Sequence, residues 1–214
     1  MKQEKPISGA VIRRLPKYYR YLGMIEERGI VRISSQNLSE ITGFTASQIR
    51  QDFNHFGGFG QQGYGYNVEK LRGHLATIIG LDKTYKMVVV GAGHMGQAIC
   101  NYKGFRSGGF HIEALFDSNP EKIGTTINDI SVLDVQELGA FIRKHEISIV
   151  AITTPSDSAQ AIAECATEAG AKGIWNFAPV DLKLPEGVVL ENVHLDESLH
   201  ALTYYLGNLK DYQG

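Results

Sequence analysis

Cysteine is scarce in this chain of 214 residues, which contains only Cys100 and Cys165. Both cysteines lie in apolar segments with helical spacing, so we expect two buried thiols rather than a disulfide. The same context argues against a thiolate metal site. The sequence therefore predicts neither a disulfide framework nor a metal centre.

Long apolar runs are also missing, and the first residues lack the pattern of a secretory signal. Internal repeats and low-complexity segments are absent as well. We therefore expect a cytoplasmic protein with no membrane partner. Hydrophobic residues make up 43% of the chain and charged residues 21%, which is typical of a globular protein with a sizeable core. The length allows one large domain or two small ones.

Charge is divided unevenly along the chain. Residues 1–83 contain 12 Lys and Arg against 7 Asp and Glu, a net charge of +5, whereas residues 84–214 contain 9 against 16, a net charge of −7. A basic first part joined to an acidic remainder favours a polyanionic partner for the first part only. Chance is the alternative explanation for so modest an excess.

The most informative motif is Gly-x-Gly-x-x-Gly, which directly follows the apolar run at residues 87–90. In a dinucleotide-binding unit, Gly91 allows the tight turn from strand to helix, and Gly93 lets the backbone approach a pyrophosphate. Gly96 lets the helix pack close to the sheet. Free N–H groups at the start of that helix face the phosphates, so the motif predicts a nucleotide site.

A second apolar strand, at residues 112–116, ends in Asp117, which is 24 residues after Gly93. This is near the spacing at which a carboxylate accepts hydrogen bonds from ribose hydroxyls. Alternatively, Asp117 caps the turn formed by the residues after it. Because Asp117 would repel a 2′-phosphate and no arginine follows it directly, the sequence favours NAD(H) over NADP(H).

The first part of the chain is predicted to contain a helix-turn-helix. Apolar residues at helical spacing predict a helix over 12–27, with Pro16 in its first turn, and another over 36–42. After Gly43, Thr45 and Gln48 fit a capping box that starts a third helix, which we expect to end near Phe56. In a helix-turn-helix this last helix enters the major groove of DNA. A small helical bundle with a polar face is the alternative.

The predicted reading helix exposes side chains of the types that recognise DNA. Arginine binds guanine edges in a bidentate manner, glutamine and asparagine bind adenine, and all of them can hold phosphate. Ile49 and Phe53, four residues apart, are expected to face the core. The candidate DNA contacts of this helix are Ser47, Gln48, Arg50, Gln51, Asn54 and His55.

Residues 56–66 alternate aromatic residues with glycine and have no helical period. We expect them to form a β-hairpin, the wing, beside the reading helix, because glycine permits its turns and a close approach to another chain. A flexible linker is the alternative. The candidate DNA contacts of the wing are Gly58, Phe59, Gly60, Gln61 and Tyr64. Asn67 then caps a helix that leads to a domain boundary at residue 82.

Beyond that boundary, strands alternate with helices. The predicted strands are 87–90, 112–116, 147–153, 173–177 and 188–193, and the predicted helices lie near 95–103, 134–145 and 157–169. This alternation predicts a parallel, doubly wound sheet in a second domain over 83–214. A terminal helix at about 196–210 carries a leucine stripe, which must be buried on its own sheet or on a partner chain; the stripe is Leu199, Leu202, Leu206 and Leu209.

Over residues 14–80 and 87–206 the chain resembles the Rex family of bacterial redox-sensing transcriptional repressors. The resemblance rests on motifs from both parts of the chain: Arg14-Leu15-Pro16, Gln48-Ile49-Arg50-Gln51-Asp52, Phe56-Gly57-Gly58-Phe59-Gly60, Gly63-Tyr64-Gly65-Tyr66, Val90-Gly91-Ala92-Gly93, Asn101-Tyr102-Lys103-Gly104-Phe105, Phe116-Asp117 and Asn176-Phe177-Ala178-Pro179-Val180. Two positions differ from the family's common pattern. Gln61-Gln62 stands where many relatives carry a basic pair, and His94 stands where asparagine is common.

The resemblance implies an α/β protein with an N-terminal winged-helix domain and a C-terminal Rossmann-type doubly wound parallel sheet. It also implies a homodimer that exchanges its terminal helices and grips palindromic, double-stranded operator DNA. Such a repressor releases the operator when NADH replaces NAD, and so reports the NADH/NAD ratio.

The resemblance also places Tyr102 and the loops at 153–155 and 176–179 around the nicotinamide ring. A neutral ring can enter an apolar pocket lined by Phe105 and Phe177, whereas a charged ring loses solvation there. The complete candidate cofactor set is Gly91, Ala92, Gly93, His94, Met95, Gly96, Tyr102, Phe105, Asp117, Ser118, Lys122, Thr153, Thr154, Pro155, Asn176, Phe177, Ala178 and Pro179.

A catalytic set is not evident. A dehydrogenase needs a proton donor near the hydride path and a substrate pocket. His145 is expected to be a solvated residue at a helix end, and His194 and His200 to be interface residues. We therefore expect a repressor rather than an enzyme. A small NAD-dependent oxidoreductase or a CoA-binding-type protein is the alternative.

Overall fold

The computed structural model describes residues 7–60 and 64–208, and contacts divide the chain into two compact units, Met1–Lys83 and Thr84–Gly214. The predicted contact Gln61 and the last residue of the predicted stripe, Leu209, lie outside the described residues.

Helices capped by side chains make up most of the first unit. Side chains of Ser8, Ser34, Thr45 and Asn67 each accept an N–H from the first turn of the helix that follows. The elements are α1 (Gly9–Glu27), β1 (Arg32–Ile33), α2 (Ser35–Thr42), α3 (Ala46–Asn54), β2 (Tyr66–Asn67) and α4 (Val68–Ile78).

Two boundaries predicted for the first unit are wrong. Because Ser8 caps α1, the helix begins at Gly9, and Pro16 lies inside it rather than in its first turn. The third helix ends at Asn54 and does not reach Phe56, because the chain turns there and Gly57 and Gly58 adopt φ values of 109° and 65°.

The core of the first unit lies between α1, α3 and α4. Tyr18 on α1 and Phe53 on α3 are fully buried and meet edge to face, with ring centroids 5.1 Å apart. Ile49 is also fully buried, as its spacing from Phe53 predicts. This packing leaves the opposite side of α3 facing solvent.

The predicted hairpin within residues 56–66 is not found in the described residues. Residues 58–60 have no regular structure, and β2 instead pairs antiparallel with β1, which lies more than thirty residues earlier in the chain. Phe59 packs on the unit through Phe53, at a centroid distance of 6.2 Å. In the described part of this segment, an aromatic contact and no local strand pairing holds the chain against the unit.

The second unit contains a seven-stranded sheet within residues 84–208, in the order β5-β6-β4-β3-β7-β8-β9. All neighbouring strands are parallel except β5 and β6. The strands are β3 (Tyr85–Val90), β4 (Phe110–Asp117), β5 (Thr126–Ile127), β6 (Ile130–Asp134), β7 (Ile149–Ile152), β8 (Gly173–Asn176) and β9 (Val189–Asn192). The strand order reverses between β3 and β7, as in a Rossmann sheet.

Helices cover this sheet on both faces. Val88 and Val90 pack with α7 and α8 on one face, and Met87 and Val89 pack with α5 on the other. The helices are α5 (His94–Asn101), α6 (Gly104–Ser107), α7 (Leu138–His145), α8 (Ser156–Glu168) and α9 (Leu195–Gly207), with a 3-10 turn at Val135–Glu137. The predicted α/β fold is confirmed.

The terminal helix α9 buries none of its residues. Leu199, Leu202 and Leu206 are 59%, 50% and 56% exposed, so the apolar stripe does not pack on the sheet of its own chain. The prediction of two buried thiols is wrong for Cys165, which is exposed on α8, whereas Cys100 is buried. The helical period of α8 turns that position away from the sheet.

Candidate functional site

A cavity of about 450 Å³ opens at the carboxyl ends of β3, β4 and β7. This is the point where the strand order reverses, which is where ligands bind in open α/β sheets. The structure brings together much of the predicted cofactor set here. The lining is Val90, Gly91, Gly93, Asp117, Ser118, Lys122, Val135, Leu138, Thr153, Thr154, Pro155, Ser158, Ala161, Ile162 and Cys165.

The three glycines of the motif differ in what requires them. Gly91 has a φ of 106°, and a Cβ there would lie 2.8 Å from the carbonyl oxygen of Thr153. A Cβ at Gly96 would collide with the carbonyl oxygen of Gly91. A Cβ at Gly93 would meet no protein atom within 4 Å. Folding therefore requires Gly91 and Gly96, whereas at Gly93 the protein itself leaves room for a ligand.

Gly93 also precedes α5, whose N-terminus carries no side-chain cap. The first N–H groups of a helix have no partner within the helix and carry a partial positive charge. They suit an anionic group such as a pyrophosphate. His94, the first residue of α5, is exposed.

Asp117 links the glycine loop, residues 91–93, to the turn after β4 through hydrogen bonds. Its Oδ2 accepts the N–H of Ala92 at 2.8 Å and the ammonium of Lys122 at 3.0 Å, and its Oδ1 accepts the N–H of Asn119 at 2.8 Å. Partial burial raises the pKa of Asp117, but these hydrogen bonds outweigh it, so the pKa lies below its usual value. The carboxylate is ionised, lines the cavity and uses three of its roughly four acceptor positions in these contacts.

Two threonines form the opposite wall. The hydroxyl of Thr153 donates toward the carbonyl oxygens of Val90 and Gly91, at 3.0 and 2.8 Å, and so links β7 to the glycine loop. The hydroxyl oxygen of Thr154 is buried and has no hydrogen-bond partner among the described residues. A buried, unsatisfied polar atom at a cavity wall fits a site that takes a polar ligand.

Other members of the predicted cofactor set do not line this cavity. The buried side chain of Asn176 donates to the carbonyl oxygens of Ala178 and Val180 and to the side chain of Asn192, so it orders the loop after β8. Phe177 packs on Trp175, with ring centroids 4.5 Å apart. Besides Tyr102 and Phe105, the remaining members outside this lining are Ala92, His94, Met95, Gly96, Ala178 and Pro179.

Tyr102 and Phe105 follow α5 and contact each other, with ring centroids 4.8 Å apart. They line a second cavity of about 680 Å³, beside the first residues of β4 rather than its last. Tyr102 is 62% exposed. The structure of one chain thus separates these two aromatic residues from the glycine loop.

The first cavity has an apolar side that the sequence does not predict. Val135, Leu138 and Ile162 line it from the 3-10 turn and the helices α7 and α8. In the sequence these residues belong to the same apolar periodicity that builds the core, so no local signal separates them from it.

The exposed face of α3 carries the predicted DNA contacts. Ser47, Gln51 and Asn54 are exposed, and Gln48 is half-buried. Arg50 is exposed, and its guanidinium donates to the hydroxyls of Ser35 on α2 and Ser47 on α3, at 2.9 and 3.1 Å. This side chain is therefore held between the two helices of the helix-turn-helix. Gly58, Gly60 and His55 are exposed as well.

Arg32 is an exposed cation that the sequence did not single out. Its guanidinium donates to the carbonyl oxygen of Tyr64 at 3.3 Å and lies 5.8 Å from the centre of the Tyr64 ring. Tyr64 itself is 70% exposed, whereas Phe59 stacks on His74 at 5.0 Å. Of the aromatic residues predicted to contact DNA from the wing, Tyr64 is thus the accessible one among the described residues.

In the described part of the chain, no helix has the length and apolar character needed to cross a bilayer. Within the same residues, no three His, Cys, Asp or Glu side chains come together as a metal site would require.

Both parts of the chain match known families. Residues 6–54 match the family "Putative DNA-binding protein N-terminus", and residues 82–180 match the family "CoA binding domain". The redox-sensing transcriptional repressor Rex of Clostridioides difficile (strain 630) is 57% identical over 202 residues, covering 94% of this chain and 96% of that protein. The protein of the same name from Clostridium kluyveri is 52% identical, covering 98% and 100%.

Solved structures agree with these relatives. The crystal structure of RSP in complex with β-NAD⁺ and operator DNA is 50% identical, with a TM-score of 0.90 over 98% of this chain and all of that one. The crystal structure of RSP in complex with β-NADH is 48% identical, with a TM-score of 0.90 over 98% of both chains. RSP is described as a Rex-family repressor. These relatives are repressors rather than enzymes, and this chain belongs to the Rex family of redox-sensing transcriptional repressors.

Proposed function

We propose that this protein represses transcription by binding palindromic operator DNA as a homodimer, and that it leaves the operator when NADH replaces NAD. The carrying observation is the cavity where the free side of Gly93 and the uncapped start of α5 face Asp117. The solved relative RSP has been crystallised with β-NAD⁺ and operator DNA and with β-NADH, which supports the same ligands here.

In this proposal, the backbone at Gly93 and the first N–H groups of α5 bind the pyrophosphate. Asp117 accepts hydrogen bonds from ribose hydroxyls, and the apolar wall at Leu138 and Ile162 covers the adenine. The nicotinamide, when bound, supplies the difference in charge between the two redox states. Tyr102, Phe105 and the loop at 176–179 remain its predicted contacts.

The DNA side of the proposal assigns α3 as the reading helix and residues 56–66 as the wing. The net charge of +5 over residues 1–83 supports a polyanionic partner, and Arg32 adds an exposed cation beside Tyr64. We place the domain boundary at residue 82 or 83. A repressor must reach chromosomal DNA, so we also propose a cytoplasmic location.

Asp117→Ala should weaken NADH binding by roughly 1.5–3 kcal/mol, because hydrogen bonds to a charged acceptor are lost. NADPH should bind the variant relatively better, since Lys122 is freed from its partner at 3.0 Å and can meet a 2′-phosphate. Calorimetric titration with both cofactors measures this. Glu168→Ala, which removes one negative charge at the exposed end of α8 and outside the cavity lining, is the matched control. Equal affinity of the unmodified protein for NADH and NADPH would contradict the assignment of Asp117.

Arg50→Ala should cost roughly 1–3 kcal/mol of operator binding. Arg50 is the only cation within α3, and its contacts with Ser35 and Ser47 already hold it at the exposed face. Fluorescence anisotropy with a labelled operator duplex measures the loss, and NADH affinity should not change. Arg28→Ala, at the exposed end of α1, controls for the removal of one positive charge. If both variants lose affinity equally, Arg50 has no specific role.

A further inference from the structure

A buried ion pair connects α1 to α3. Asp52, on α3, is 2% exposed, and its carboxylate accepts two hydrogen bonds from Arg14 on α1, from Nε and Nη2, each at 2.7 Å. Tyr18, one turn further along α1, donates its hydroxyl to the same carboxylate at 2.8 Å. All three of these hydrogen bonds to the Asp52 carboxylate come from α1 and hold α3 against that helix.

The same two side chains of α1 also touch the turn before α3. The ring of Tyr18 meets Phe44 and Phe53 edge to face, at centroid distances of 5.4 and 5.1 Å. The Arg14 guanidinium lies 6.0 Å from the centre of the Phe44 ring. Because Phe44 lies between α2 and α3, Arg14 and Tyr18 contact both the turn of the helix-turn-helix and the inner face of α3.

Stability alone gives a weak reason for such a pair. Replacing a buried ion pair by apolar residues of similar volume often leaves stability unchanged or raises it. Apolar contacts, however, define the relative orientation of two helices less strictly than an ion pair does. A bidentate contact between guanidinium and carboxylate does define one, because its two hydrogen bonds require a single relative orientation. A helix held in this way cannot rotate or slide without breaking both bonds.

The orientation of α3 matters for the residues on its other side. Successive side chains on a helix differ by about 100° in direction, so fixing Asp52 inward fixes Arg50, Gln51 and Asn54 outward. Direct readout of bases depends on hydrogen bonds of defined geometry, whereas binding to phosphates tolerates displacement.

We propose that Arg14 and Tyr18, through Asp52, are positioning residues that hold α3 in the register required for reading the operator. This rests on the proposed function, in which α3 is the reading helix. These three residues, Arg14, Tyr18 and Asp52, form what we call the tie. The tie then contributes to sequence preference more than to overall affinity for DNA.

The first unit contains a matched control. Arg72 on α4 forms an ion pair with Glu26 on α1 and a hydrogen bond with Tyr19, so it joins two helices of the same unit. Its partners do not lie on α3. Arg72 and Glu26 are more exposed than Arg14 and Asp52, so loss of this pair should lower stability by no more than loss of the Arg14–Asp52 pair, without rotating the reading helix.

The test compares full-length variants. Arg14→Met combined with Asp52→Leu replaces the tie by apolar side chains, Asp52→Asn and Tyr18→Phe weaken it, and Arg72→Met with Glu26→Gln removes the control pair. Each variant is titrated with the operator that the unmodified protein selects from a randomised duplex pool, and with a scrambled duplex of the same composition. Thermal unfolding and NADH titration report on folding and on the second unit.

We expect the Arg14→Met, Asp52→Leu variant to remain folded and to bind the operator about tenfold or more weakly, the size of effect seen for a mismatched base pair. Binding to the scrambled duplex should stay within about twofold, because phosphate contacts remain. NADH affinity should not change. Removing the control pair should not change the ratio of operator affinity to scrambled-duplex affinity.

Three results would overturn the inference. If Arg50→Ala lowers operator binding and the tie variants keep the normal ratio of affinities, the inference fails and the proposed function stands. If removal of the Arg72–Glu26 pair changes the ratio of operator affinity to scrambled-duplex affinity as much as the tie variants do, at an equal loss of stability, the tie has only a structural role. If Arg50→Ala has no effect either, α3 does not read DNA and both proposals fail. If Asp52→Asn does not fold, the test relies on Tyr18→Phe and on the Arg14→Met, Asp52→Leu double variant.

Discussion

Truncation after Asn192 should leave a protein that is monomeric or aggregated and that no longer binds its operator tightly. The truncation removes α9, in which Leu199, Leu202 and Leu206 are 59%, 50% and 56% exposed and none of the residues is buried. A stripe of this kind needs an apolar partner, and a twofold partner gives the symmetry that a palindrome requires. Sedimentation equilibrium measures the state of the truncated chain.

A milder variant separates the stripe from the helix itself. Substituting serine for the three leucines should dissociate the dimer, while serine at Glu197 and Ala201, exposed positions of α9 outside the stripe, should not. A truncated protein that remains a soluble dimer would contradict the proposal of exchanged terminal helices.

Gly93→Ala should greatly weaken cofactor binding in a protein that folds normally. The added methyl group meets no protein atom within 4 Å and the residue has a φ of −81°, so folding is unaffected. In the complex, the same methyl group would occupy the space where the pyrophosphate approaches the backbone. The loss of NADH affinity should be about 100-fold or more, roughly 3 kcal/mol.

Two other glycines provide the comparison. Gly73→Ala lies in α4 and meets no atom within 4 Å; it should raise stability by up to about 1 kcal/mol, because alanine favours a helix, and leave NADH affinity unchanged. Gly91→Ala should lower the thermal stability, because its φ of 106° and the nearby Thr153 oxygen exclude a side chain. Normal NADH binding by Gly93→Ala would place the pyrophosphate elsewhere.

Much of the fold follows from local patterns. The alternation of buried strands with amphipathic helices encodes the doubly wound sheet, and capping by Thr45 and Asn67 is visible in the sequence. Strands β5 and β6 differ from the predicted pattern because they form a tight hairpin: β5 has only two residues at the sheet edge, and Asn128 and Asp129, at positive φ, join it directly to β6. The pairing of β1 with β2 joins Ile33 to Tyr66, and such a distant partner leaves no local trace.

The candidate sites, too, contain residues that could be predicted from the sequence and residues that could not. Gly91, Gly93 and Asp117 could be predicted because their roles depend on spacing and backbone conformation. The apolar wall could not, since Leu138 and Ile162 serve the core and the cavity together. Asp52 gave no signal either, because an acidic residue on a polar helix usually faces solvent and its partner Arg14 is 38 residues away.

The central claim is that NADH and operator DNA oppose each other on this protein. Anisotropy of a labelled operator duplex, titrated with protein at fixed salt without cofactor, with NAD and with NADH, tests it most directly. We predict tight binding with NAD and a loss of about 5- to 150-fold with NADH, and the operator should weaken NADH binding by the same factor. Operator binding that responds equally to NAD and NADH would contradict the account.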